Sequence, residues 1–77
     1  MIEASMLSEA AITEIRDAPD RDALERIRRD FVGDEDSRIK VLLATVHIEH
    51  HHHVHDAIAR VEAAFAARLA ALEKRRP

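Results

Sequence analysis

Every histidine of the chain falls in one stretch, His47-Ile48-Glu49-His50-His51-His52-His53-Val54-His55-Asp56. Neutral imidazole is a nitrogen ligand for divalent transition metals and a base that titrates close to neutrality. No glycine or proline interrupts the run, so it is expected on a helix, where side chains three and four apart meet. That spacing pairs His47 with His51 and His51 with His55 at i, i+4. It also pairs His47 with His50, His50 with His53, and His52 with His55 at i, i+3. Two imidazoles held in this way are half of a tetrahedral zinc site. The candidate ligands are therefore His47, His50, His51, His52, His53 and His55. Asp56, at i+4 from His52, is either a further ligand or the carboxylate that fixes an imidazole tautomer. The ions such a set would take are Zn, Ni, Cu or Co. One helix directs two or at most three ligands to one point, so a fourth must come from Glu49, Asp56 or a second copy of the chain. The plainer reading is a solvated polar belt in which His50 and His53 are partly buried packing residues.

The elements that must position this belt follow from composition and periodicity. With 77 residues and 47% apolar content the chain makes one small domain, and one glycine is too few for a turn-rich β fold. The class is all-α. A first helix is expected over about 5–17, capped by Ser5 or Ser8, with Leu7, Ala11 and Ile15 on its apolar stripe. It stops before Pro19 because the residue preceding proline is pushed out of the α region. A second is expected over about 21–32, capped by Asp20 and closed by Gly33 as a left-handed C′ residue. After the acidic turn Asp34-Glu35-Asp36-Ser37, with Asp36 or Ser37 as cap, no breaker appears until Pro77. A long helix is expected over about 38–75, about 57 Å at 1.5 Å per residue. In that helix His50 and His53 continue the stripe between Val46 and Val54. The alternative is a chain that folds back within the histidine run. The expected packing is antiparallel and coiled-coil-like. A 77-residue chain buries a modest fraction of its surface, so a dimer or a partner helix is expected to complete the core.

Charge limits the partners. Twelve Lys and Arg against 15 Asp and Glu leave a net charge of −3 with histidine neutral, which disfavours nucleic acid. Protonation of the six histidines would carry this to about +3 near physiological pH. Cysteine is absent, which excludes disulfides and thiolate sites. No apolar run reaches the roughly 20 residues of a membrane span, and Met1-Ile2-Glu3-Ala4 lacks the features of a signal peptide, so the expected location is the cytoplasm. No catalytic assignment follows. His51-His52 with Asp56 resembles the His-His-x-x-x-Asp of acyl-transfer condensation domains, but those are much larger folds with a substrate tunnel.

The segment Ala23-Leu24-Glu25-Arg26-Ile27-Arg28-Arg29-Asp30-Phe31-Val32-Gly33, followed by Ile39 and Leu42-Leu43, resembles the N-terminal region of the bacterial phenylalanyl-tRNA synthetase α subunit. Asp56-Ala57, Val61-Glu62-Ala63, Ala66-Ala67-Arg68 and Ala70-Ala71-Leu72-Glu73 look like that family's second coiled-coil helix, and Glu9-Ala10 with Ile15 fits the first. The resemblance implies a helical arm that contacts tRNA without aminoacylation. Arg26, Arg28, Arg29, Arg38 and Lys40 would be the phosphate contacts. Where the family carries a basic Gly-Lys-Lys-Gly turn this chain has Gly33-Asp34-Glu35-Asp36, and in place of a Pro-containing linker it has the histidine run.

Overall fold

Four α-helices make up the computed structural model, which describes residues 2–34 and 36–74: α1 (Ile2–Asp17), α2 (Arg21–Arg28), α3 (Arg38–Thr45) and α4 (His51–Lys74). A π-helical turn, Arg29–Gly33, extends α2, and a short 3₁₀ turn, Ile48–His50, leads into α4. The described residues contain no strand, so the all-α class holds. The expected end of the last helix at Arg75 lies outside the described residues, as does Glu35.

The helix ends show which local signals operate. Asp20 caps α2 as expected, its Oδ1 accepting from the Ala23 N–H at 2.8 Å. α1 starts earlier than the serine caps required, at Ile2, and holds both serines inside it. There the Ser8 hydroxyl donates to the Ser5 carbonyl at 2.9 Å, the back-bond that an intrahelical serine makes to the preceding turn. Ser37 occupies the cap position of α3 with no side-chain bond into the helix. Its hydroxyl turns back to the Asp34 carbonyl at 2.6 Å. Gly33 does not take the left-handed conformation of a C′ glycine, since no described residue has positive φ. The widened π turn ends α2 instead, and it carries Phe31 and Val32 into the core.

The long helix expected over 38–75 is broken. α3 ends at Thr45 and α4 begins at His51, so the chain turns at the histidine run. One reason is local: Thr45, Val46 and His47 are weak helix formers in succession. The larger reason is burial. A rod of that length cannot cover its own stripe, whereas the turned chain packs α3 against both α1 and α4.

Contacts along α4 give the order of the bundle. Glu9 of α1 pairs with Arg60, and the Ala18 carbonyl just past α1 accepts from Arg68, so α1 and α4 run in the same direction. The chain then returns through α2, whose Arg28 reaches back to Glu62 and Phe65. One core results: Phe31, Ile15, Leu24, Ile39, Val32, Val54 and Val61 are fully buried. Along α1 and just past its end the covered positions are Ala4, Ser8, Ala11, Ile15 and Ala18, alternately four and three apart. The small side chains among them, Ala4, Ser8 and Ala11, let α1 lie close against α4, whose buried residues are Val54, Ala57 and Val61. Leu7, expected on the α1 stripe with Ala11 and Ile15, is half-buried.

Candidate functional site

The histidine run occupies the corner between α3 and α4. The Thr45 hydroxyl bonds back to the carbonyls of Val41 and Leu42, both at 3.3 Å, and the Val46 N–H closes on Leu42 at 2.8 Å before the backbone extends. His47 is also extended, with φ −64 and ψ 147, and its Nδ1 accepts from the Glu49 N–H at 3.3 Å, capping the 3₁₀ turn. A ring nitrogen that accepts is unprotonated, so in neutral His47 the proton sits on Nε2. The cap occupies Nδ1 of His47. The residue types alone did not point to it, because histidine is seldom counted among capping residues. The signal is its place immediately before a helical turn.

The remaining rings divide into two sets. His50 and His53 lie with centroids 6.0 Å apart and planes inclined by 27°. His52 and His53, chain neighbours, have centroids 3.9 Å apart. All three rings are exposed, while His51 is half-buried. At about 100° per residue, His55 projects from α4 roughly 160° away from His53, so these two cannot share an ion. The expectation that His50 and His53 keep the apolar stripe in phase is overturned. The break before Ile48 resets the phase, and Val54 with half-buried His51 takes the inward positions.

His53 and Asp56 face α1 across a cleft of about 520 Å³ that Ser5, Ser8 and Arg60 also line. Much of the polar lining is already partnered: Ser8 bonds Ser5, and Arg60 pairs with Glu9 at 3.2 Å. The His53 imidazole holds its proton less firmly than the usual 6.5, through lost hydration first and then the charges of His52 and His50, with Asp56 opposing. The ring stays exposed, so that loss of hydration is partial. The neutral form it favours is the one that ligates a metal. Among the described residues no three His, Asp or Glu side chains converge as a metal-binding group. The chain thus presents pairs of imidazoles rather than a closed site.

The arginines expected to meet phosphate are interleaved with carboxylates. Arg28 donates from Nε to Glu62 at 3.1 Å and lies over Phe65. Arg38 pairs with Asp30 at 3.2 Å and lies over Phe31. Arg26 and Arg29 border a shallow cleft with Asp30, Asp34 and Asp36, and Lys40 is half-buried on α3. An approaching phosphate would meet both signs of charge on this face.

No described helix is long and apolar enough to cross a membrane. No family model, curated protein or solved structure matches the chain, so the likeness to the synthetase arm rests on the residues quoted for it.

Proposed function

We propose that this chain is a non-catalytic helical interaction module that binds a divalent transition metal at its histidine corner and associates with a further copy of itself. The observation that carries the reading is the exposed group His50, His52 and His53, held ring to ring where the chain enters α4. Imidazole nitrogen suits Zn, Ni, Cu and Co. Glu49 and Asp56 lie in the same segment and offset the charge an ion would bring. The stable helical frame behind the corner supports binding, because little of the site must be ordered when the ion arrives. The alternative, an RNA-binding arm, would draw on Arg26, Arg28, Arg29, Arg38 and Lys40.

The test is thermal unfolding across a metal series. An ion present at one hundred times its Kd adds about 2.7 kcal/mol of stability. For a domain of this size that is a Tm increase on the order of 10 °C. The increase should vanish with chelator and on acidification, as the imidazoles protonate. An unchanged Tm with zinc, nickel, copper and cobalt alike would refute the metal reading. RNA binding that weakens steeply with added salt would instead favour the helical arm.

A further inference from the structure

We infer that a second copy of this chain completes the ligand set, with one metal ion held between two molecules by His50 and His53 of each. The inference rests on the metal-binding reading and names the ligands and the partner.

The selection starts from distances. A zinc–nitrogen bond of about 2.0–2.1 Å puts each ring centroid roughly 3 Å from the ion, and two rings at a tetrahedral angle then stand roughly 5 Å apart. His50 and His53, at 6.0 Å, stand within about 1 Å of that separation, and both rings are exposed. The other histidines fit less well. His52 is the chain neighbour of His53 and its ring lies against it at 3.9 Å, so both cannot turn a nitrogen toward one point. His47 would have to give up the cap it makes to the Glu49 N–H. His55 projects from a different side of α4 than His53, and half-buried His51 is turned toward the packed face.

Two ligands leave a four-coordinate ion half satisfied, and among the described residues the same chain offers no third. The missing pair must come from another molecule, and an identical pair is available on every copy. Two exposed corners related by a two-fold axis give four imidazoles around one ion, the isologous arrangement that a symmetric dimer requires. Ile48 lies in the same turn as His50 with 75% of its surface exposed, and it is the apolar residue that a second corner would cover. Each chain carries a net charge of −3, so the copies repel weakly and the ion is what joins them. Association is then gated by metal.

Titration of the metal-free protein with zinc, followed by calorimetry and by sedimentation, tests this. The expected end point is one zinc per two chains, reached together with conversion of monomer to dimer and reversed by chelator. His50→Ala and His53→Ala should each abolish the dimer, whereas His47→Ala and His55→Ala should leave it intact. Both His50 and His53 are exposed and outside the core; His53→Gln, which keeps side-chain volume and polarity, is the second variant that separates lost ligation from lost folding. One zinc per chain on a monomer would overturn the bridged site and leave the metal reading standing. A dimer that persists without metal would overturn the gating. Dimer loss in His47→Ala or His55→Ala in place of His50→Ala and His53→Ala would overturn the ligand assignment. Absence of zinc binding would sink both readings together.

Discussion

Within one nine-residue span, the six imidazoles have acquired different tasks from their backbone positions alone. His47 accepts a backbone N–H, His51 is half-buried, and His50 and His53 remain exposed with adjacent rings. His53 illustrates how such a neighbourhood reaches stability. Its pKa is depressed from 6.5, by lost hydration and then by His52 and His50, so the unfolded chain binds this proton more tightly than the folded one. The contribution is complete above the unfolded value of 6.5 and is lost as pH falls through the lower folded value. In metal-free protein the urea midpoint should therefore drop on acidification from neutral pH through and below 6.5, and His53→Gln should lessen the drop. An equal drop in the variant would show that other groups carry the effect. The effect is modest, because the ring is solvated.

At the scale of elements, the join between α1 and α4 depends on one long side chain as well as on small ones. Arg68 donates to the Ala18 carbonyl from both Nε and Nη2, at 3.2 and 2.8 Å. Ala18 is buried and immediately follows α1, so its carbonyl would otherwise be short of a partner. Arg68→Ala should cost roughly 1–2 kcal/mol in a denaturant titration. Arg68→Lys should recover little, because an ammonium cannot reproduce the two parallel donors of a guanidinium. A wild-type midpoint for Arg68→Ala would remove this tie from the account. The surface pairs Arg60–Glu9 and Arg38–Asp30 are more than half exposed on both sides and contribute much less.

The whole molecule is elongated, with extents of 48 × 18 × 14 Å, and a single core runs along it. Phe31 is the largest fully buried side chain and enters that core from the π turn between α2 and α3. A domain of 77 residues has a stability on the order of 4–12 kcal/mol, and Phe→Ala in a core costs about 3–5 kcal/mol. Phe31→Ala should accordingly lose most of its helical circular dichroism at 37 °C or well below the wild-type Tm. Retention of a near-wild-type melt would mean that the core is divided and not continuous. Metal-driven pairing of two such molecules through their corners would build a still longer assembly, with each core left intact.

Several features of this protein follow from composition and local pattern. A single glycine and the alanine- and leucine-rich periodicity specify helices, Pro19 ends the first, and Asp20 begins the second by satisfying a free N–H. The residue types of the belt name a candidate ligand chemistry, because neutral imidazole suits transition metals. Register and breaks were not legible in the sequence. Whether residues 38–75 form one helix or two turns on a balance between weak local preference at Thr45-Val46-His47 and the burial gained when α3 folds onto α1 and α4, and that gain involves residues distant in the chain. The same turn took His50 and His53 off the packing stripe and set them side by side at the surface. Periodicity assumes an unbroken helix; only the packed structure says where the helix stops.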